Sequence, residues 1–242
     1  MRFVVDALGF TPDPWQARAL CWVGKRLLFN CSRQAGKSTT AAALALHTAL
    51  YHPGALVLLV SPSLRQSSEL FRKVIDFGAR LVDSPALTED NKLSWTLTNN
   101  ARIVSLPGSE AKIRGFSGAS LIIEDEAARV PDELYYAVRP MLAVSGGRLV
   151  LMSTPWGKRG HFFTEWTDGG PTWERIEIPA TECPRISPEF LAEERESMPA
   201  WIFEQEYLCQ FKETTDQVFS YDLVMSAITS DIKPLFAEMS DA

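Results

Sequence analysis

Short apolar runs alternate with stretches of helical spacing along most of this chain. Arg26–Asn30, Ala55–Val60, Leu121–Ile123 and Arg148–Met152 are runs of nearly continuous apolar residues, the pattern of strands buried on both faces. Trp173–Ile178 reads as a further strand, set off by Gly169-Gly170-Pro171. Leu93–Thr98 and Arg102–Leu106 alternate around Asn99-Asn100, which predicts a hairpin with a two-residue turn. Helices are expected over Trp15–Trp22, Ser38–Tyr51, Leu64–Val82 and Pro131–Leu142. In the third, Leu70, Phe71, Val74, Ile75, Phe77 and Leu81 recur at helical spacing. Strands alternating with helices predict an α/β fold with a mostly parallel central sheet flanked by helices. From Ser187 the pattern turns helical, over Pro188–Met198, Pro199–Gln210 and Tyr221–Thr229. The expected organisation is therefore a core over residues 1–180 and a small helical subdomain over 181–242.

The first predicted strand runs into Cys31-Ser32-Arg33-Gln34-Ala35-Gly36-Lys37-Ser38-Thr39, and a helix follows. Strand, loop and helix in that order are what a phosphate-binding loop requires. The loop and helix N-terminus direct backbone N–H groups at an anion, Lys37 adds a positive charge, and the Ser38 hydroxyl suits Mg²⁺. Cys31 departs from this pattern, since it stands where the first glycine of G-x-x-x-x-G-K-[ST] is expected.

A second motif supports the first. The strand Leu121-Ile122-Ile123 ends in Glu124-Asp125-Glu126, and acids at the C-terminal end of a parallel strand lie where open α/β sheets bind ligands. Asp125 is the candidate for the Mg²⁺ shell, and Glu126 for orienting or deprotonating an attacking water. A solvated acidic turn is the bland alternative, and the phosphate loop upstream makes it the weaker one.

Composition narrows the classes. The chain has 242 residues, 46% hydrophobic and 22% charged, enough for one sizeable core with a small appendage. It contains no apolar run of membrane-spanning length and no signal-like N-terminus. Cys21, Cys31, Cys183 and Cys209 lack Cys-x-x-Cys spacing and fit a reducing cytoplasm. His47, His52 and His161 are too dispersed in sequence to predict a metal cluster. A net charge of −6 does not by itself lead to nucleic acid. Lys112, Arg114, Lys158 and Arg159 form local basic clusters on predicted loops.

Further positions carry candidate chemistry. The Gln16 amide offers a donor and an acceptor suited to the adenine N6/N7 edge; the alternative is a surface glutamine. Ser153-Thr154-Pro155 ends a strand. If that strand lies between the loop strand and the acidic strand, Thr154 sits beside the γ-phosphate; otherwise the motif is a turn device. Arg33, inside the loop, and Arg114, before the acidic strand, are the leading candidates to meet charge on a transferred phosphoryl group. Arg129 and Arg139 are weaker ones, each readily explained as a solvated or salt-bridged arginine.

The ordered set Pro14-Trp15-Gln16, Ser32-Arg33-Gln34-Ala35-Gly36-Lys37-Ser38, Ile113-Arg114-Gly115, Ile123-Glu124-Asp125-Glu126-Ala127-Ala128 and Ser153-Thr154-Pro155-Trp156-Gly157-Lys158 resembles the ATPase domain of tailed-bacteriophage terminase large subunits. These are motors that pump DNA into a procapsid. The likeness extends from about Pro12 to Phe219. It implies a P-loop NTPase fold of the ASCE type with a C-terminal lid, and ATP and Mg²⁺ as cofactors. Gln16 would then read adenine, the loop Ser32–Thr39 would hold the phosphates, and Ser38 with Asp125 would bind the metal. Glu126 would be the catalytic carboxylate, Arg33 a loop arginine at the nucleotide, and Thr154 the residue coupling hydrolysis to movement. Arg114 would be a finger supplied to a neighbouring subunit. The implied partners are double-stranded DNA, a portal protein, a small terminase subunit and a homo-oligomeric ring, a pentamer, in the cytoplasm of the infected bacterial host.

The family's second, nuclease domain would begin near Val218-Phe219. No acid cluster on a new strand follows there, so the tail reads as the start of a linker and nuclease activity is expected to be absent. Two other readings remain open at this point: a helicase-like nucleic-acid-dependent ATPase, for which 242 residues leave no second motor lobe, and a nucleotide-binding docking module, which has no use for a catalytic carboxylate.

Overall fold

A computed structural model describes residues 1–82, 86–107, 115–213, 219 and 221–228. It comprises two compact units, Met1–Lys212 and Glu213–Ala242. The first holds an eight-stranded sheet in the order β3-β4-β5-β2-β6-β7-β1-β8. The strands are β1 (Arg26–Cys31), β2 (Leu56–Ser61), β3 (Leu87–Asn91), β4 (Ser94–Leu97), β5 (Arg102–Pro107), β6 (Leu121–Asp125), β7 (Arg148–Ser153) and β8 (Trp173–Ile178). From β5 through β8 every pairing is parallel, and β3 and β4 add an antiparallel edge.

Each continuous apolar strand divides its side chains between two cores, because successive residues point to opposite faces. On one face lie Leu27, Phe29, Val57, Leu59, Leu121, Ile123, Val150 and Met152, beneath α2 (Lys37–Tyr51) and α3 (Leu64–Arg80). On the other lie Leu28, Leu58, Val60, Ile122, Leu149 and Leu151, with Leu134, Tyr135 and Val138 of α4 (Asp132–Val138) and Phe162 of α5 (Gly160–Thr167). Burying each such side chain contributes about 1.5–3 kcal/mol. The same alternation turns Glu124 toward the second face and Asp125 toward α2.

Among the described residues of this unit, the remaining α-helices are α1 (Pro14–Leu20), α6 (Pro188–Ser197) and α7 (Ala200–Glu206). Ala180, Leu191 and Phe203 form a small apolar cluster of their own. In the second unit α8 (Tyr221–Ala227) is the described helix.

Several predicted bounds move for physical reasons. The Pro131–Leu142 segment is α-helical only to Val138, and a 3₁₀ turn over Arg139–Leu142 follows; Pro140 supplies no N–H to continue the helix. The hairpin turn has three residues rather than two. Leu97 N–H donates to Ala101 O at 2.8 Å around Thr98-Asn99-Asn100, and Asn100 takes a left-handed φ of 65°, the geometry of a turn closed by an αL residue. Strand β3 and helix α5 were not legible: β3 is the polar Leu-Thr-Glu-Asp-Asn, and α5 is short and opens on Gly160.

Candidate nucleotide site

Strand β1 delivers the chain into the loop, where Ser32 N–H donates to Ile178 O of β8 at 2.9 Å. The departure at Cys31 causes no strain. Cys31 is absent from the described left-handed residues, and its side chain is buried in the core beneath α2. Burial pushes the thiol up to about 12, which leaves it a small inert apolar group. The tight turns fall instead at Gln34 (φ 60°) and Gly36 (φ 100°). A Cβ on Gly36 would sit 2.7 Å from Gln16 Nε2 and 3.3 Å from an Arg185 Nη; the φ of 100° is what calls for glycine, and a side chain there would also displace the Gln16 amide.

Lys37 opens α2, nearly buried, and its ammonium makes three hydrogen bonds. It donates to Cys31 O (2.9 Å), Ser32 O (3.0 Å) and Thr154 Oγ1 (3.2 Å). Thr154 follows β7, which lies between β1 and β6, as the condition attached to Thr154 in the sequence required. A cleft of about 590 Å³ is lined by Arg33, Gln34, Ala35, Gly36, Lys37, Ser38 and Thr39, together with Gln66, Lys73, Glu126, Arg129 and Arg185.

Asp125 ends β6, nearly buried, and its Oδ1 accepts the Glu126 N–H at 3.0 Å. Burial, and then the neighbouring Glu126 carboxylate, push the Asp125 carboxyl up to about 7, against the opposing pull of Lys37 and Lys73. An anion disfavoured in this way is one that a cation would relieve. A hydroxyl at Ser38 and a carboxylate at Asp125 are hard oxygen donors, too few for an all-protein cage. They suit an ion such as Mg²⁺ that takes its remaining ligands from phosphates and water. No group of three or more His, Cys, Asp and Glu is poised to hold a metal among the described residues.

Glu126 is a non-glycine residue in the left-handed region (φ 53°, ψ 41°), a conformation that clusters at functional sites. Its Oε2 accepts from Arg129 Nη1 at 2.9 Å. Arg129 Nη2 lies 3.6 Å from Glu206 Oε1, and Glu206 Oε2 accepts from Arg33 Nε at 2.5 Å. Two carboxylates and two guanidinium groups thus alternate from the loop to the acidic strand, with Glu206 reaching in from α7.

Beside the cleft, a second pocket of about 430 Å³ is lined by Phe10, Thr11, Gln16, Gly36, Thr39, Lys73, Asp76, Phe77, Arg80 and Arg185. Phe10 and Phe77 stack at its wall. Gln16 is buried there. Its Oε1 accepts the Asp13 N–H at 2.9 Å, and its Nε2 reaches Gly36 O at 3.4 Å.

Residues 28–225 match the family described as "Terminase large subunit, T4likevirus-type, N-terminal". The chain belongs to this terminase large-subunit family. Among curated relatives, the large terminase subunit of Thermus virus P23-45 is 27% identical over 250 residues, an alignment covering 89% of this chain and 52% of that protein. The chain therefore spans about half the length of the curated relatives it matches. Among solved structures, the large terminase ATPase domain of Thermus phage P74-26 gives a TM-score of 0.77 at 21% identity, covering 86% of this chain and 97% of that one. The large terminase of the thermophilic bacteriophage D6E in complex with ADP gives 0.66 at 12% identity, covering 83% and 54%. These likenesses bear out the P-loop fold expected of a terminase.

The structure gathers most of the terminase-like residues named from sequence. Gln16, Arg33–Thr39 and Glu126 line the cleft and its side pocket; Ser32 and Thr154 are joined to it through Lys37 and Asp125 through Glu126. Arg114 and Lys112 lie outside the described residues. Arg139 does not approach the cleft; it pairs with Glu165 at 3.4 Å and lies over Tyr135. Sequence reading missed Arg185, whose guanidinium pairs with Asp13 at 2.7 Å and donates to Ala35 O at 2.8 Å. It also missed Glu206, and the buried His161 whose ring nitrogens reach Glu124 Oε1 at 2.5 Å and Asp132 Oδ1 at 2.9 Å. Each of these contacts joins residues far apart in sequence, and no local spacing signals them.

Proposed function

We propose that the chain is the ATP-hydrolysing motor domain of a viral terminase large subunit that drives double-stranded DNA into a procapsid. The observation that carries the reading is the Lys37 ammonium. It sits at the head of α2, bonded to loop carbonyls and to Thr154, in the same cleft as Glu126. Phosphate oxygens carry more charge than the neutral acceptors Lys37 now holds, and charge-assisted hydrogen bonds are the stronger ones. Nucleotide entry would draw Lys37 off Thr154 and so report phosphate occupancy to the end of β7.

Ser38 and Asp125 would hold Mg²⁺, which when bound neutralises charge between the phosphates. Gln16 would read adenine from the side pocket, using the lone pair on Oε1 and the hydrogen on Nε2 that its present bonds leave over. The loop amides of Ser32–Thr39 would cradle the phosphates, and Glu126 would orient the attacking water. Arg33 would face the phosphates in cis, and Arg114 would be given to a neighbouring subunit of a homo-oligomeric, pentameric ring. The segment from Thr181 onward would act as the lid, with a linker beyond it. Portal protein, small terminase subunit and DNA would be the partners, in the cytoplasm of the infected bacterial host. Structures of D6E large terminase with ADP and with ATP-gamma-S support nucleotide as the ligand.

The test separates binding from turnover. Glu126→Gln should bind Mg·ATP with wild-type affinity and release phosphate at least a hundredfold more slowly, within the range by which a positioned base accelerates transfer. Equal turnover by the two proteins refutes the assignment.

A further inference from the structure

Trp156 follows the Ser153-Thr154-Pro155 strand end and is 37% exposed, a large ring left partly in water that lines, with Arg129, a separate pocket of about 610 Å³. The Arg129 guanidinium lies over it, Cζ 4.4 Å from the ring centroid. We propose that Trp156 and Arg129 are a positioning pair for Glu126, through which the segment after β7 sets the orientation of the water-activating carboxylate. This rests on the reading of Glu126 given above.

The contacts form one connected set. Arg129 N–H donates to Glu126 O at 2.8 Å, and Arg129 Nη1 donates to Glu126 Oε2 at 2.9 Å. The arginine thus holds both the left-handed backbone turn and one carboxylate oxygen, leaving Oε1 for a water. Glu126 and Arg129 side chains are only 24% and 25% exposed, so the pair is screened less than a surface ion pair. Helix α7 ties down both partners of the link. Glu206 Oε1 lies 3.6 Å from Arg129 Nη2, and Gln205 Oε1 accepts the Gly157 N–H, next to Trp156, at 3.3 Å.

The chemistry calls for arginine. A guanidinium can lie flat on an indole while its edge donates to a carboxylate; an ammonium is a point charge that cannot do both. Small misplacement of a catalytic group lowers rate steeply. The link therefore bears chiefly on the transition state: Arg129 lines the cleft from the Glu126 side, and neither it nor Trp156 belongs to the phosphate loop.

The experiment compares Arg129→Lys, Trp156→Leu, Trp156→Phe and the double variant Arg129→Lys/Trp156→Leu in the full chain. Each is measured for affinity to MgADP, for affinity to MgADP with aluminium fluoride, a mimic of the transferring phosphoryl group, and for kcat and KM with MgATP. Arg129→Lys and Trp156→Leu should each lose about tenfold in kcat and in the preference for the fluoride complex, with MgADP affinity within about twofold of wild type. Trp156→Phe should retain most of both, since a ring face remains. The double variant should be no worse than either single one, as expected of residues acting as a unit. Wild-type kcat and fluoride preference in both single variants overturn the proposal, as does a double variant about a hundredfold impaired. A wild-type chain that binds no MgADP overturns the preceding functional reading and this one with it; normal binding with unaltered variants overturns this one alone.

Discussion

Replacing Asp125 by asparagine should make the metal-free protein more stable while removing its response to Mg²⁺. Asp125 is nearly buried at the end of β6, and burial followed by the Glu126 charge raises its carboxyl from 3.8 to about 7. At 1.36 kcal/mol per unit, the ionised form costs up to about 4 kcal/mol in the folded state above that pH. An asparagine Oδ1 can still accept the Glu126 N–H that Asp125 Oδ1 accepts at 3.0 Å, so the substitution removes charge and keeps the hydrogen bond. The sign follows from a folded value above the unfolded one. Below about pH 4 the group is protonated in both states and the variant gains nothing. The gain grows as pH rises toward 7 and is full above it. Thermal unfolding in a chelator at pH 4.5 and pH 8 measures this. Asp125→Asn should melt about 5–10 °C above wild type at pH 8, the shift such an energy produces in a domain of this size, and close to wild type at pH 4.5. Adding Mg²⁺ and ADP should raise the wild-type midpoint and leave that of the variant nearly unchanged. A variant less stable than wild type at pH 8, or a difference independent of pH, would show that the buried Asp125 charge is not what destabilises the metal-free fold.

Gly36→Ala should destabilise the loop by roughly 1–3 kcal/mol, since alanine must adopt φ 100° and displace Gln16; nucleotide titration should show weakened binding, and wild-type affinity would contradict the geometry. Gln16→Ala should lose discrimination between ATP and GTP while keeping triphosphate binding, and unchanged base preference in competition assays would remove Gln16 from the base pocket. Arg114→Ala should bind ATP yet fail to hydrolyse it, and mixing with an Arg114-intact Glu126→Gln partner should restore activity; absence of rescue across mixing ratios would end its role in trans.

The sheet was legible because a parallel strand buried on both faces must be apolar throughout, as Leu27-Leu28-Phe29 and Leu121-Ile122-Ile123 are. β3 escaped because an edge strand needs no apolar face. At the site, Lys37, Ser38, Asp125, Glu126 and Thr154 were readable because loop and strand ends carry their chemistry in contiguous residues. Glu206 and Arg185 were not, because α7 and the turn before α6 meet Arg33, Arg129 and the loop only through tertiary packing. Arg129 was named among several arginines, and nothing local distinguished it from Arg139; the fold turned one onto Glu126 and the other onto Glu165.

ATP hydrolysis in this cleft is measured as phosphate release from Mg·ATP over a range of protein concentrations, with Lys37→Ala as the blank. Release should exceed the blank, with specific activity rising as concentration brings neighbouring subunits together. Release no faster than the Lys37→Ala blank at every concentration would contradict hydrolysis in this cleft.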